Sequence, residues 1–599
     1  MATWQVRQER GVSFVTAGGA FYRAESCAGR DLAVLAAALQ RRRAPGGRLR
    51  VLDVMSASGM RGARYLAQAE ADEVWINDGS PDLHEAMVFN MCTAAGMQLA
   101  DAVQQHAVSG AGGGGSSSGR DGSSVASSSG RDGAVSGGQE PGSAGPESEE
   151  ALRRRVAGWS AQAQVVKLEG LARDVWQWDL PALPASQSRT TPSRGEAGHE
   201  GTGAAAAGPE ACRDSGSTST STSGSGSGSG SADPADAFTG RRIRISHVDA
   251  NRLLTNCYMR ESYYDLIDVD SFGSEAMYFP AAIDAVRYGG LLYLTATDGF
   301  TSSGKRPERG LASYGAYLRA LPWSNEQGLR MVIGGAVREA ASRGVTLTPV
   351  FSLYSYHGPV FRVMLRARRS AEWASQHYGF AGHCFVHGDN YSVGWKDLAG
   401  AVCRCESRGR RRPVQVPMAD SPASAPASGA GHTASSGSSS SGNSSSSSSS
   451  SSGSSTPLVL SGPMWTGPLH DAEELRAMKA EAEARGWQGF GMSAEDAPFL
   501  RDRKKSSRNV RPLEELLELM LEEADPRLPP GFFSIDDSVA RRMARPPPRD
   551  ALIAALRQEG FAAARCHLEA RAFRTNACMA DVLRVAEDRL GIPSRAVKA

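Results

Sequence analysis

The stretch RVLDVMSASGMRG at residues 50–62 decides the fold of this chain. Residues 50–54 form a short apolar run, residues 56–59 are small, and residues 63–69 have helical spacing. This succession is typical of a buried strand, a tight loop and a helix. The sequence predicts a second strand at 73–78 and a second helix at 81–94, so a parallel α/β sheet is expected.

The same alternation resumes after a long polar segment. Strands are predicted at 243–247, 263–269, 290–296, 345–354 and 360–366, with helices at 250–259, 274–286 and 326–343. The last two strands are expected to be antiparallel. A doubly wound sheet with a late antiparallel pair is common among methyltransferases, so we predict a Rossmann-like class I methyltransferase domain.

Two segments of the 599-residue chain contain almost no apolar residues. One spans about 109–239, interrupted by a short stretch near 165–183, and the other spans about 407–455. Because such segments cannot bury enough apolar surface to offset chain entropy, both are predicted to be disordered. We expect a methyltransferase domain at 1–370 and a smaller α+β domain at 371–599.

Composition limits the partners and cellular locations that the protein can have. The net charge of +2 gives no overall argument for nucleic acid, and nine scattered cysteines do not suggest a disulfide framework. The chain shows no apolar run of transmembrane length and no secretory signal at its start. We predict a monomer without membrane association, in the nucleus and cytoplasm or in the chloroplast.

Acids follow three successive predicted strands, at Asp53, Asp78 and Asp249. The loop at 56–62 lacks the several glycines that a pyrophosphate requires, whereas S-adenosylmethionine has no phosphate. Gly59 would allow close approach, Asp53 would meet the amino end of methionine, Asp78 the ribose, and Asp249-Ala250 the adenine. The alternative is that these acids only cap turns.

The stretch YDLIDVDSFGS at residues 264–274 suits a flat, nitrogen-bearing base. Asp270 would accept a hydrogen bond from the amine and act as general base, and Phe272 would stack on the ring. Phe272 could instead be a core aromatic. Asp268 is open between an orienting role and a structural one.

Several motifs then occur in a fixed order, and together they resemble the tRNA (guanine-N2)-dimethyltransferase family. They are Phe21-Tyr22, Arg30-Asp31, SASGMRG at 56–62, Asn77-Asp78, DANRL at 249–253, DVDSFGS at 268–274, TATD at 295–298, YGA at 314–316, NEQGLR at 325–330 and GPMWTGPLH at 462–470. The resemblance implies methylation of guanine 26 of tRNA, once or twice, with S-adenosylmethionine as donor.

The resemblance also implies roles for individual residues. The positions that fall where the family binds its cofactor are Arg30, Arg61, Asp78, Asp249 and Ala250. Asp270 falls at the catalytic acid, and Phe21 and Phe272 fall where aromatic rings hold the guanine.

Two departures from the family pattern lie in the catalytic loop. Ser271 and Glu275 stand where the family usually has prolines. Glu275 would add a like charge near Asp270. The Asp-Ser-Phe-Gly-Ser pattern resembles a plant and algal subgroup, so we interpret the departures as a subgroup trait.

Two further sets of residues suggest ligands. Cys384, His387, Cys403 and Cys405 form a degenerate zinc-ligand pattern, with free cysteines as the alternative. Contacts with tRNA phosphates are expected from basic residues, which solvated loops would explain equally: Lys305, Arg306, Arg309, Arg503, Lys504 and Lys505.

Two other functions are compatible with the sequence. The protein could methylate another RNA guanine, because the same pocket motif serves both reactions. It could also be a non-catalytic RNA-binding protein that kept the fold, which Ser271 and Glu275 favour and the cofactor acids oppose.

Overall fold

The computed structural model describes most of the chain outside the low-complexity segments. The described residues are 4–16, 20–43, 47–97, 148–183, 240–370, 372–404, 456–493, 495–500 and 510–595.

Seventeen strands occur within the described residues. They are β1 (Gln5–Glu9), β2 (Val12–Thr16), β3 (Arg50–Asp53), β4 (Glu73–Asn77), β5 (Gln164–Val166), β6 (Val175–Leu180), β7 (Arg241–Ser246), β8 (Tyr264–Asp270), β9 (Val286–Ala296), β10 (Val345–Ser355), β11 (Val360–Arg369), β12 (Tyr378–His383), β13 (Asn390–Val393), β14 (Val459–Trp465), β15 (Phe533–Ser534), β16 (Ala563–Arg565) and β17 (Ala572–Thr575).

The α-helices of the same part of the chain connect and cover these strands. They are α1 (Cys27–Arg43), α2 (Met60–Gln68), α3 (His84–Ala94), α4 (Glu149–Ala161), α5 (Ala250–Met259), α6 (Phe279–Ala285), α7 (Gly299–Ser302), α8 (Pro307–Tyr314), α9 (Ser324–Ala341), α10 (Ala472–Ala484), α11 (Leu513–Glu523), α12 (Arg549–Gln558) and α13 (Met579–Leu590).

The central sheet has nine strands in the order β10-β11-β9-β8-β3-β4-β7-β6-β5. The five strands from β9 to β7 are parallel, whereas β11 and β10 at one side are antiparallel. Strand β3 is buried along its whole length, as expected of a parallel strand covered on both faces. The prediction of a Rossmann-like class I methyltransferase fold is confirmed.

Residues 148–183 of the predicted first insertion are folded. The sequence prediction excepts only the stretch near 165–183, so the prediction of disorder is wrong for residues 148–164. Helix α4 packs beside α3 and buries Trp159. Strand β6 pairs antiparallel with β7, and β5 pairs with β6. This segment therefore extends the sheet at its outer edge.

The C-terminal part combines two small sheets with helices. Leu475 of α10 and Leu516 of α11 belong to the same buried cluster as Leu32 and Leu35 of α1, so the two predicted domains share a core. Farther along the chain, Ile535–Val539 forms a single helical turn. Three prolines at 546–548 follow this turn, and proline lacks the backbone N–H that a continuing helix needs.

A buried charged network joins α9 to the C-terminal part. The Glu326 carboxylate accepts hydrogen bonds from Arg330 (2.8 Å), Arg574 (3.2 Å) and the Gly531 amide (2.8 Å).

Among the described helices, none is both long and apolar enough to cross a bilayer.

Candidate active site

A cavity of about 350 Å³ opens at the carboxyl ends of β3, β4 and β8. In a doubly wound sheet this edge is where ligands bind. The walls come from residues 21–30, from the loops that follow β3, β4, β8 and β9, and from β11. Its lining residues are Phe21, Tyr22, Arg23, Ser26, Arg30, Met55, Ser56, Ala57, Ser58, Met60, Arg61, Asp78, Gly79, Asp270, Ser271, Phe272, Thr297, Val360 and Arg362.

The loop after β3 is held close to the end of β4. Gly59 has φ +78°, and a Cβ atom there would lie 2.7 Å from the Cδ1 atom of Ile76, so both the backbone conformation and the space favour glycine. The Asp78 carboxylate accepts hydrogen bonds from the amides of Ala57 (2.9 Å) and Ser80 (3.0 Å). The predicted positions Gly59 and Asp78 therefore both shape the cavity wall.

The inner wall of the cavity is an arginine held by two acids. The Arg61 guanidinium donates to Asp268 at 2.9 Å and also to Asp270. The Tyr65 hydroxyl donates to the second oxygen of Asp268 at 2.9 Å. Burial raises the pKa of Asp268 to about 6, although Arg61 opposes the shift. Asp268 therefore orients Arg61 from behind the cavity, while Asp270 lies at its surface.

Asp53 lies behind this wall and is fully buried. Neither carboxylate oxygen has a hydrogen-bond partner within the described residues. Burial, followed by the nearby Asp268, raises the pKa of Asp53 well above its ordinary value. Three acids thus lie near Arg61, and the buried Arg362 is a second cation close to Asp268 and Asp270.

Two aromatic rings stand at the cavity mouth. Phe21 is 49% exposed and Phe272 is 71% exposed, and their ring centroids lie 5.0 Å apart at 83°. The Phe272 loop is fixed because the Gly273 amide donates to the Thr297 hydroxyl (2.6 Å) and Gly273 accepts from the Thr297 amide (2.8 Å). Phe272 is therefore not the core aromatic that the sequence left open.

The other predicted cofactor residues are divided between two places. Arg30 lines the cavity while its guanidinium pairs with buried Glu9 at 2.7 Å. Asp249 caps α5 by accepting from the Arg252 amide at 3.0 Å, and Ala250 is buried beside it. Asp249 lines a second cavity, which meets the first at Gly79.

Glu275 does not act as the like charge that the sequence suggested. The side chain is fully buried, and its carboxylate accepts a hydrogen bond from the Tyr314 hydroxyl at 3.1 Å. Burial raises the pKa of Glu275 to about 8. The neutral form therefore predominates near pH 7, and little negative charge is added beside Asp270.

The sequence analysis missed Arg362 on β11. This buried arginine lines the cavity and donates to the Ser26 hydroxyl at 3.2 Å. Its signal was present, because a single arginine interrupts the apolar run at 360–365. An arginine inside a buried strand requires a polar partner or a cavity.

The predicted metal and RNA residues are placed only in part. Cys384 and Cys403 each lie 3.4 Å from the His387 Nδ1 atom, and Cys403 takes part in a disulfide, so zinc stays a prediction. Lys305 and Arg306 are exposed between α7 and α8, and Arg309 is exposed in the first turn of α8. Outside the described residues lie Cys405, Arg503, Lys504 and Lys505.

The fold is similar to a solved structure described as Trm1 from Pyrococcus horikoshii with S-adenosyl-L-methionine. The match has a TM-score of 0.53 and 18% identity, and it covers 97% of this chain and 99% of that chain. At this identity the likeness shows the fold.

Curated relatives match over shorter lengths. The tRNA (guanine(26)-N(2))-dimethyltransferase of Schizosaccharomyces pombe is 26% identical over 55% of this chain and 51% of its own length. The Thermoplasma acidophilum protein with the same name is 33% identical over 20% of this chain and 34% of its own length. The chain thus spans about half, or less, of these relatives.

The family model described as N2,N2-dimethylguanosine tRNA methyltransferase matches residues 2–108 and 237–587. These two ranges include every strand and loop that lines the main cavity. The chain therefore belongs to the N2,N2-dimethylguanosine tRNA methyltransferase family.

Proposed function

We propose that this protein transfers one or two methyl groups from S-adenosylmethionine to the exocyclic N2 of guanine 26 in tRNA. The observation that carries the proposal is one cavity in which Asp270 lies beside two exposed rings, Phe21 and Phe272. We also propose that Ser271 and Glu275 mark the plant and algal subgroup of the family.

The residues around the cavity fit this cofactor. Arg30 and Arg61 would bind its carboxylate, and Asp78 would accept hydrogen bonds from its ribose hydroxyls. The Asp270 carboxylate at the cavity surface would attract the ammonium and sulfonium charges. When bound, S-adenosylmethionine supplies a methyl group on an electrophilic sulfonium.

Asp270 would perform the proton chemistry. The exocyclic amine of guanine is a weak nucleophile because its lone pair is delocalised into the ring. An Asp270 oxygen would accept the N2–H hydrogen bond and take this proton as the new N–C bond forms. Because its side chain is 31% exposed, Asp270 can then release the proton to water. Arg61 would keep the Asp270 carboxylate in position.

Phe21 and Phe272 would hold the base. A base paired in a helix cannot reach the cavity, so it must leave the stack at a cost of a few kcal/mol. Stacking on an aromatic side chain contributes roughly 1–3 kcal/mol per base. Two exposed rings at the mouth therefore offset the cost of extrusion.

The proposal is tested on unmodified tRNA transcripts. Asp270→Ala should lower single-turnover methylation by about 10²–10⁴-fold, measured by mass spectrometry of N2-methylguanosine and N2,N2-dimethylguanosine. Asp82→Ala, an exposed acid outside the cavity, is the matched control. Activity of Asp270→Ala within about tenfold of wild type would exclude Asp270 as the base.

Three further outcomes separate the alternatives. A transcript with adenine at position 26 should not be methylated, and persistent methylation would indicate another guanine. Calorimetry should detect binding of S-adenosylhomocysteine to wild type and to Asp270→Ala. Binding of tRNA without any methyl transfer would indicate a non-catalytic protein.

A further inference from the structure

A second cavity, also about 350 Å³, adjoins the main one and shares Gly79 with it. One wall is the end of the third parallel strand, at His247–Asp249, together with Arg252 of α5. The opposite wall is Leu171, Ala172 and Arg173. The cavity therefore lies between the parallel sheet and the folded segment 148–183.

That opposite wall lies outside the family pattern. The family model matches residues 2–108 and 237–587, so it omits 148–183. Strand β6 pairs antiparallel with β7, with Val175 opposite Ser246 and Leu180 opposite Arg241. An antiparallel neighbour begins where β7 ends, so the residues just before β6 lie against the ligand-binding edge of the sheet.

Several contacts fix this wall in place. The Arg173 guanidinium donates to the His247 carbonyl at 2.9 Å. The Asn256 side-chain amide of α5 donates to the Glu169 carbonyl at 2.7 Å. Leu171 packs against the buried cluster beneath α5. The wall is therefore tied both to β7 and to α5.

We propose that Leu171, Ala172 and Arg173 form an added wall of the cofactor site, against which the adenine is held. Asp78, assigned above to the ribose, directly precedes Gly79, where the two cavities meet. A ligand extending past the ribose enters the second cavity. Leu171 offers an apolar surface there, and guanidinium groups such as those of Arg173 and Arg252 stack on flat rings. This inference rests on the proposed function.

Calorimetry on the full chain with S-adenosylhomocysteine tests the wall. Leu171→Ser and Arg173→Ala should each raise the dissociation constant about 5- to 30-fold, in the range of a lost ring contact. Adenosine should lose affinity by a similar factor because the wall contacts the base. Lys167→Ala, an exposed residue of the same segment outside the cavity, should bind as wild type does.

Two further comparisons separate a lost contact with the adenine from a loss of folding and from binding of RNA in this cavity. Arg173→Lys keeps a hydrogen-bond donor for His247 but loses the planar group, so weak binding together with an unchanged melting temperature supports a contact with the base. Unchanged binding in all wall variants overturns the inference while leaving the proposed function intact. If wild type binds no S-adenosylhomocysteine, both fail. Loss of tRNA affinity with unchanged cofactor affinity assigns the cavity to RNA and overturns the inference.

Discussion

Arg61 and Arg64 lie one turn apart on α2, and each is held by two acids in a different region of the molecule. Arg64 pairs with Glu9 and Asp31, and its side chain is fully buried. Arg61 pairs with Asp268 and Asp270, where Asp270 is 31% exposed at the cavity. The local chemistry is the same, so the difference lies in what surrounds each pair.

The charge balance separates the two clusters. Around Arg64, two acids face three arginines, with Arg10 and Arg30 completing the set. Burial alone would raise the pKa of Glu9, but Arg30 and Arg64 outweigh it, and the pKa lies below its ordinary value. Near Arg61, by contrast, burial raises the pKa values of Asp53 and Asp268. Every carboxylate oxygen in the Arg64 cluster has a hydrogen-bond partner, whereas in the cavity cluster Asp53 has none among the described residues and Asp270 is partly exposed.

The largest expected effect is on stability, at Arg64. Arg64→Ala leaves Glu9 and Asp31 buried with less compensation, which should lower the free energy of unfolding by about 3–5 kcal/mol. Urea denaturation followed by circular dichroism measures the loss. If the free energy of unfolding of Arg64→Ala lies within about 1 kcal/mol of the wild-type value, the Arg64 cluster does not stabilise the fold as expected.

Arg61→Ala is the matched substitution in the other cluster. Its stability loss should be less than half that of Arg64→Ala, because Asp53 and Asp268 have raised pKa values and water reaches Asp270. Affinity for S-adenosylhomocysteine should fall about 100-fold, near 2.7 kcal/mol. Equal stability losses at the two arginines would remove the distinction.

Glu275 is a buried acid that has no arginine partner among the described residues. It therefore tests how burial without an opposite charge affects stability. Its pKa is raised to about 8 in the folded protein, compared with about 4.3 in an unfolded chain. The stability from the neutral form is full below the unfolded pKa and is lost as the pH rises to 8. Between pH 5 and pH 8 this loss should be about 3.5 kcal/mol.

Glu275→Gln should remove that part of the pH dependence, since the amide cannot ionise. Glu308→Gln, on the exposed side of nearby α8, should keep the wild-type slope. Thermal denaturation at pH 5, 6, 7 and 8, run on all three proteins, gives the comparison. Parallel slopes for wild type and Glu275→Gln would show that Glu275 is ionised in the folded state.

The sheet and most of its ligand edge could be predicted because their signals are local. Apolar runs such as residues 50–54 give the strands, and acids at strand ends fall on one edge of a parallel sheet. The spacing of Phe272 after Asp270 placed an aromatic ring beside an acid. These features depend on neighbours in the sequence, which periodicity captures.

The remaining features depend on distant partners. Arg61 meets Asp268 across 207 residues, and no local pattern indicates that pairing. Segment 148–183 is flanked by polar sequence, and the short run at Val175–Leu180 does not indicate by itself which strand it pairs with. Arg362 enters the cavity only because β11 runs antiparallel at a particular register. Register is a property of the folded sheet.

The smallest expected effect is on stability, and it has opposite signs when one acid of each cluster is replaced by asparagine. Asp53→Asn removes an acid whose pKa is raised in the folded protein, so it should increase the free energy of unfolding by about 1 kcal/mol at pH 8. Because that acid is neutral in both states below its unfolded pKa, the gain should disappear near pH 4. Asp31→Asn should instead destabilise, since it weakens the bonds to Arg10 and Arg64. Urea denaturation at the two pH values measures both variants. Destabilisation by Asp53→Asn at pH 8 would mean that the folded protein stabilises the charged Asp53 carboxylate. Both clusters would then serve to stabilise the fold.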